Sequence, residues 1–444
     1  MKNKIVSLAI IGLLLSCQQQ NDVAVVDSAA SGIELTPEEI LSMLPAEEYE
    51  LTEGQATKLL QKFVGNHEAR TLNDIKVQVK SRSYLNKSRE AGENILIYDM
   101  IVEKGGSRNI AIVSGDKRFP TVLAYFQEPD DVHKNINCNS LLIEASKSVL
   151  QDNIEIISRL KDSLQQKTIQ KISKVLNVSK DEISYTLIQS KLSIGQQQSR
   201  STIIKEPNAD LSRFGPFISV SWDTGMPYNR LMSQNCSDNW LWDFRYPISS
   251  IVVATAQILS MFEPSLTANQ TKINWAYLKE KEEIHEDSDY FGSYVQDPID
   301  KRNMIANLML YIGNQCNVNY TCSGSSVDAN KVVGFLKRYN INMSGKKSMN
   351  TSVMKQTLDN IDPVLMYGQT NDTGGHWWVV DGYCSRIATR GDSFFPGFDI
   401  YMHANMGMGK SYNGYYLVGS DGTLTFDASF AHFNKNLSMY TVEN

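Results

Sequence analysis

The chain has 444 residues, a hydrophobic content of 42%, a charged content of 21% and a formal net charge of −6. This composition is typical of a globular protein rather than a disordered one, and the length exceeds one ordinary hydrophobic core, which predicts two domains. No run rich in Lys and Arg accompanies the negative charge, so nucleic acid is not expected as a partner.

The N-terminus has the pattern of a targeting segment. A short basic start leads into an apolar run, 5–15, that is too short to remain as a membrane-spanning helix. The run ends at Leu-Leu-Ser-Cys, which resembles a bacterial lipobox whose cysteine, Cys17, becomes lipidated. We therefore expect a lipoprotein signal peptide at 1–17 and a polar tether at 18–35, on an exported, membrane-anchored protein that is periplasmic or on the cell surface. The alternative is an ordinary signal peptide with a chance cysteine.

Export places the other five cysteines where disulfides can form. They are Cys138, Cys236, Cys316, Cys322 and Cys384. Because five is odd, at least one of them is free or pairs between chains. Cys316 and Cys322 are close enough in sequence to pair across a loop, although the spacing alone does not determine the pairing.

A small α+β domain is predicted at 36–130. Capping boxes at 36–39 and 52–55 each predict a helix start, and the second helix should end near Gly65. Strand-like runs follow the helices at 95–102, 109–114 and 121–126.

The next part, 131–210, is predicted to be a helical connector and a linker. A helical pattern extends from about 141 to 192, and the polar run 195–201 is typical of a linker open to proteolytic nicking. A second domain is predicted at 211–444. It begins with loops and helices and ends in strands at 377–384, 399–404 and 415–418.

The second domain holds residue types that nucleophilic peptidases use. His376 lies in Gly-Gly-His-Trp-Trp-Val-Val-Asp-Gly and Asn405 in His-Ala-Asn-Met-Gly-Met-Gly, while Ser250 begins an apolar helix, 251–262. Such an enzyme needs a thiol or hydroxyl beside an imidazole, and a third group that orients the imidazole. A helix N-terminus suits the nucleophile because its unpaired N–H groups and dipole lower a thiol's pKa.

These motifs resemble the streptopain family of papain-like cysteine peptidases. The family pattern Gly-Cys-Val-Ala-x-Ala-x-Ala-Gln-Ile-Met aligns with 249–259 and places its nucleophilic cysteine on Ser250. The pattern Gly-His-x-x-Val-x-Asp-Gly-Tyr makes His376 the catalytic base, and His-x-Asn-Trp-Gly-Trp-Gly-Gly makes Asn405 the residue that orients it. The segment 109–125 is similar to the family's inhibitory propeptide.

The resemblance implies an α+β, papain-like fold preceded by a small α+β propeptide or inhibitor domain. It implies cleavage of polypeptides after the propeptide is removed, so that the chain's own N-terminal domain is an intramolecular inhibitor. The expected partners are a protein or peptide substrate or binding partner and, through Cys17, a lipid membrane. Neither a cofactor nor a metal is implied.

The departures from the family pattern fall on its chemistry. The nucleophilic Cys is Ser250, and the oxyanion-hole Gln of Trp-Gly-Gln-x-x-Pro-Tyr-Asn is Thr224. Met406 and Met408 replace two Trp that shield the His–Asn pair. Because losing one oxyanion donor costs about 2.7–4 kcal/mol of transition-state stabilisation, the sequence predicts an impaired peptidase.

Three alternatives remain at this stage. Ser250 could still act as a serine nucleophile with residual hydrolysis, or the chain could be a non-catalytic protein-binding or inhibitor protein. Ser250 could also be an engineered substitution, but the accompanying changes at Thr224, Met406 and Met408 argue against that.

Plainer explanations also apply to single residues. Ser249 and Ser250 are good helix caps, and His403 has a structural interpretation. Cys236 as a displaced nucleophile is disfavoured because no apolar helix follows it. His285 lies in an acidic segment without a second histidine at ligand spacing, which indicates a solvated loop and not a metal site.

Overall fold

The computed structural model describes residues 35, 39, 42–65, 75–85, 94–134, 136–188, 210–237, 243–287, 294–370, 374–387, 398–421 and 437–443. The predicted signal peptide with Cys17, most of the tether, most of the first capping box and the linker run 195–201 lie outside these residues. Within them, no helix combines the length and apolarity needed to cross a membrane.

The helices fall into an N-terminal and a C-terminal group. The described helices are α1 (Glu53–Gly65), α2 (Ser140–Leu176), α3 (Ser250–Phe262), α4 (Trp275–Leu278), α5 (Ile299–Gln315), α6 (Ala329–Lys337) and α7 (Thr351–Asp359). Short 3-10 turns occupy Ala46–Glu48 and Lys180–Glu182. The predicted second capping box is present at the start of α1, where the Thr52 hydroxyl accepts from the Gln55 N–H at 3.3 Å and the Gln55 side chain accepts from the Thr52 N–H at 2.9 Å.

The strands are distributed along the whole described chain. They are β1 (Lys76–Leu85), β2 (Ile95–Lys104), β3 (Ser107–Ser114), β4 (Val122–Gln127), β5 (Asp210–Phe214), β6 (Thr267–Ala268), β7 (Thr271–Lys272), β8 (Asn319–Thr321), β9 (Gly324–Ser326), β10 (Lys347–Ser348), β11 (Val364–Thr370), β12 (Gly374–Ile387), β13 (Phe398–Asn405), β14 (Gly414–Asp421) and β15 (Leu437–Thr441). The predicted strands therefore correspond to β2, β3, β4, β12, β13 and β14, whereas β1, β5, β11 and β15 were not predicted.

Eleven of the described strands form one antiparallel sheet. Its order is β1-β2-β3-β4-β14-β13-β12-β11-β15-β10, with β5 paired to β12. The N-terminal strands join the C-terminal ones where β4 pairs with β14, and Tyr125 lies opposite Tyr415. The segments predicted as separate domains thus share one sheet. The model confirms an α+β fold with helices packed on a large antiparallel sheet.

Two hydrophobic cores lie against this sheet. The first takes residues from both predicted domains, since Phe63, Val113 and Leu150 belong to the same buried cluster as Tyr401 and Leu417. The long helix α2 covers it and contacts β4, β11 and β14. The second core surrounds α3, which packs against β12 and α5. This second core positions the start of α3 beside β12.

The disulfide differs from the pairing that the sequence suggested. Cys236 bonds to Cys322, with Cα atoms 5.4 Å apart, and Cys316 is a buried free thiol. The suggested Cys316–Cys322 pairing is therefore wrong, because Cys316 ends α5 inside the second core while Cys322 lies in the exposed turn between β8 and β9. The bond also excludes Cys236 as a displaced nucleophile.

Replacing Cys236 and Cys322 together by serine should lower the free energy of unfolding by about 4 kcal/mol, because the bond closes a long loop in the unfolded chain. Urea denaturation of the variant and the parent measures the difference, and the parent treated with dithiothreitol should show the same loss. Peptide mapping without reduction should recover the two cysteines in one linked peptide. Recovery of Cys316 linked to Cys322 would contradict the assignment.

Candidate functional site

Ser250 is the first residue of α3, the helix that the second core encloses. Residues 251–260 of the helix are all buried, so its N-terminus is fixed by packing rather than by a cap. The Ser249 side chain makes no capping hydrogen bond, which argues against capping as the purpose of this serine. The Ser250 hydroxyl oxygen instead accepts the backbone N–H of Trp377 on β12, at 3.2 Å.

His376 precedes that tryptophan on β12 and is half-buried. Its Nε2 lies 2.8 Å from the carbonyl oxygen of Met406. Because a carbonyl can only accept, Nε2 carries the proton and Nδ1 is the unprotonated nitrogen. Burial lowers the pKa of His376 to about 4, and the hydrogen bond to Met406 opposes this shift only in part. The imidazole is therefore neutral at pH 7.

Asn405 ends β13 and is buried behind the histidine. Its amide nitrogen donates to the Val220 carbonyl at 2.7 Å, and its amide oxygen accepts from Gln257 of α3 at 2.8 Å. The orienting role predicted for Asn405 stays a prediction. The Asn405 side chain ties α3 to neighbouring backbone, while the Met406 carbonyl fixes the tautomer of His376.

Thr224 is buried and follows Asp223 in a tight turn. The Asp223 Oδ1 accepts the backbone N–H groups of Thr224 and Gly225, and it lies 3.3 Å from the Thr224 hydroxyl. The same hydroxyl lies 3.8 Å from the sulfur of Met408. Both groups can accept the one hydrogen of this hydroxyl and would compete with an oxyanion for it. This turn is poorly suited to stabilising developing negative charge.

One groove brings most of these residues together. Its cavity measures about 840 Å³, and Thr224, Ser250 and His376 all line it, whereas Asn405 lies behind the wall. The other lining residues come from the segments before α2 and α3, from the β8–β9 hairpin and the residues after it, and from strands and loops at the sheet edge. They are Ile136, Asn137, Cys138, Pro247, Ile248, Ser249, Cys322, Ser323, Gly324, Ser325, Ser326, Val327, Ala329, Lys346, Tyr367, Gly375, Trp377, Met408 and Tyr440.

The groove combines aromatic rings with polar backbone and side chains. The ring centroids of Tyr367 and Trp377 are 4.7 Å apart, and those of Trp377 and Tyr440 are 5.6 Å apart. Among the lining residues Lys346 carries a formal positive charge. Such a surface can hold an extended polypeptide through stacking and backbone hydrogen bonds. The described residues contain no cluster of three or more metal-ligating side chains.

Several residues of the site were not singled out from the sequence. Gln257 was part of an aligned motif. A polar amide in an otherwise apolar, buried helix could have indicated that it bonds to another element. Asp223 directly precedes Thr224, yet nothing local shows that its carboxylate organises the turn. Met406 contributes its backbone carbonyl, so the identity of its side chain gives no indication of this role. His403, by contrast, has the structural role expected, since its Nδ1 lies 2.7 Å from the buried Asp381 carboxylate.

Comparison with protein families gave a match for part of the chain. Residues 222–416 match the model of the Peptidase C10 family. Comparison with curated proteins gave no match. The matched segment contains Thr224, Ser250, His376 and Asn405, the four positions aligned from the sequence motifs. Through this segment the chain is similar to the peptidase C10 family, the streptopain-like cysteine peptidases.

Proposed function

We propose that this protein is an exported, membrane-anchored peptidase homologue that binds polypeptides in the groove beside Ser250 and hydrolyses them weakly or not at all. The observation that carries the proposal is the contact between the Ser250 hydroxyl and the Trp377 N–H. It engages the hydroxyl oxygen with a backbone donor, while the groove around it stays open to a ligand.

The electrostatics of the site support weak catalysis. A serine hydroxyl is far less acidic than a thiol, so it depends on a general base whose pKa lies near the working pH. Burial holds the pKa of His376 at about 4, which makes the imidazole a weak base for this task. The Asp223 carboxylate, 3.3 Å from the Thr224 hydroxyl, competes with an oxyanion for the hydroxyl's hydrogen.

A second candidate function is slow hydrolysis with Ser250 as the nucleophile. The observation that favours it is the tautomer of His376, because a proton fixed on Nε2 by Met406 leaves Nδ1 free to accept a proton. Ser250 also keeps the helix N-terminus that a nucleophile uses. Replacing Ser250 by alanine separates the two candidates.

Binding is expected to survive the loss of the hydroxyl. The parent and Ser250→Ala should bind fluorescein-labelled denatured casein with equal affinity, measured by fluorescence anisotropy. Trp377→Ala should weaken binding about tenfold or more, because it removes the central ring of the groove. Tyr84→Ala is the matched control, since this tyrosine is half exposed on β1 and does not line the groove.

The same series is followed for cleavage of the casein. If the parent cleaves it and Ser250→Ala does not, the protein is a working serine-type hydrolase and the binding-only proposal fails. The proposal also fails if the parent shows no saturable binding.

Restoring the family residues should restore cleavage stepwise. Ser250→Cys alone should give slow hydrolysis, and adding Thr224→Gln should raise the rate by about 10²–10³-fold, the usual effect of one oxyanion donor. The release of fluorescent peptides from labelled casein measures both rates. Thr224→Gln in the Ser250 background is the control and should stay inactive. Equal rates for the single and double variants would show that Thr224 is not the missing donor.

The low pKa of His376 also predicts a pH dependence of stability. Because the folded-state pKa of about 4 lies below the unfolded value of about 6.5, protons bind the unfolded chain preferentially between these pH values. The contribution of His376 to the free energy of unfolding should therefore fall by about 2 kcal/mol from pH 7 to pH 4.5. Urea unfolding of the parent and His376→Gln across this range measures it. A constant difference between the two proteins would contradict the assignment.

A further inference from the structure

A short segment connects the N-terminal strands to α2 and lies along the peptidase segment. We call residues 127–134 and 136–138 the strap. Tyr412 and Asn413 hold its start, because the backbones of Gln127 and these residues exchange hydrogen bonds of 3.1 and 2.9 Å. Further on, the Tyr412 hydroxyl donates to the His133 carbonyl at 2.8 Å. The strap is thus bonded to the loop that precedes β14.

His133 is the centre of this contact. Only 2% of its side chain is exposed, and its ring lies between two carboxylates. Nδ1 is 2.7 Å from Asp130 Oδ1, and Nε2 is 3.1 Å from Asp223 Oδ1. Since a carboxylate accepts, both ring nitrogens donate and the ring is an imidazolium. Burial by itself would lower the pKa of His133, but the two carboxylates outweigh it and raise the pKa to about 10.

The carboxylate that His133 binds also shapes the wall of the groove. Asp223 Oδ1 accepts the N–H groups of Thr224 and Gly225, which closes the turn on which Thr224 stands. His133 donates to the same oxygen atom. The His133 imidazolium on the strap thus holds the carboxylate that closes the Thr224 turn. Thr224 stands at the position of the family's oxyanion-hole Gln.

The strap also forms part of the groove surface without filling it. Ile136, Asn137 and Cys138 line the same cavity as Ser250 and His376, and about 840 Å³ remains open with the strap in place. In the described residues the strap is a wall of the groove.

The N-terminal strands are not separable from the peptidase sheet without exposing a core. The Arg386 guanidinium of β12 lies 3.8 Å above the Phe63 ring of α1 and donates to the Phe63 carbonyl at 2.7 Å. The Thr121 hydroxyl donates to the buried Asp399 carboxylate at 2.7 Å. Together with the pairing of β4 and β14, these contacts bury apolar surface that removal of the N-terminal part would return to water.

From these contacts we propose that the N-terminal domain and the strap are a permanent part of the ligand-binding body, and that His133 is a positioning residue for the Asp223–Thr224 wall. The polypeptide ligand lies between the strap and the peptidase segment of the intact chain. The inference rests on the proposed function for its ligand, and it replaces the removable inhibitor that the family resemblance implied.

The role of His133 is tested by three variants of the full chain. His133→Gln should weaken binding of fluorescein-labelled denatured casein about tenfold, because it leaves the Asp223 carboxylate without its cation. The double variant His133→Gln, Asp223→Asn should recover much of the affinity, since two neutral amides can bond in the same place. Asp130→Asn, which removes the other carboxylate partner of His133, should weaken binding less than His133→Gln does. Lys147→Gln is the control that should keep the parent's affinity, because this side chain pairs with Glu144 on α2 and does not line the groove.

Urea unfolding of each variant separates positioning from stability. A purely structural role predicts that all three variants lose stability while the folded proteins keep the parent's casein affinity, and that result would overturn the positioning role. Selective loss of affinity in His133→Gln with recovery in the double variant would support it.

Permanence is tested by inserting a tobacco etch virus protease site between residues 197 and 198 of the full chain. After cleavage, the two fragments should co-elute in size-exclusion chromatography and bind casein as the uncut protein does. Separation of the fragments, or binding that appears only after they separate, would overturn the inference while leaving the proposed function standing. If no form binds casein, the proposed function is refuted and co-elution alone decides the permanence of the N-terminal part.

Discussion

The site depends on the burial of residues 251–260 of α3 between the sheet and α5. Because ten consecutive residues of this helix are buried, its rotation and its height against β12 are fixed by packing. That packing sets Ser250 against the backbone of Trp377 and sets Gln257 against Asn405. The position of the nucleophile is therefore a property of the core, which explains how the geometry can persist when the nucleophilic atom is an oxygen rather than a sulfur.

The chemistry of the groove has changed more than its shape. The backbone carbonyl of Met406 fixes the tautomer of His376. Because the acceptor is a backbone atom, this hydrogen bond does not require a particular side chain at position 406. The oxyanion side has moved further from the family pattern, because the Thr224 hydroxyl faces Asp223 and Met408. The proposed binding of polypeptides depends on the open groove, and the proposed loss of hydrolysis depends on the turn that carries Thr224.

The N-terminal strands belong to the same sheet as the peptidase segment, and this is the basis for proposing that the N-terminal part is not removed. Pairing between β4 and β14 makes the sheet continuous, and the first core extends across this junction. A buried imidazolium between Asp130 and Asp223 then connects the strap to the turn that carries Thr224. Because a buried charge is costly without partners, the contact is tolerated only while both carboxylates are in place.

Local residue patterns were sufficient to predict part of the fold. Alternation and apolar runs predicted β2, β3, β4, β12, β13 and β14, and the apolar run after Ser250 predicted α3. Weakly patterned strands were missed, such as the edge strand β1, whose side chains are mostly exposed and polar. The motif alignment also identified Ser250, His376 and Thr224 as members of one site, since residue identity at fixed spacing was sufficient for that.

Which distant groups come into contact followed from the packing of the chain. Asn405 bonds to Gln257, 148 residues away, and Cys322 pairs with Cys236, 86 residues away, rather than with the nearby Cys316. The contact of His133 with Asp223 and the low pKa of His376 also could not be predicted from the sequence. The physical reason is that these partners and shifts depend on burial and on distances across the packed cores, which the order of residues along the chain does not specify.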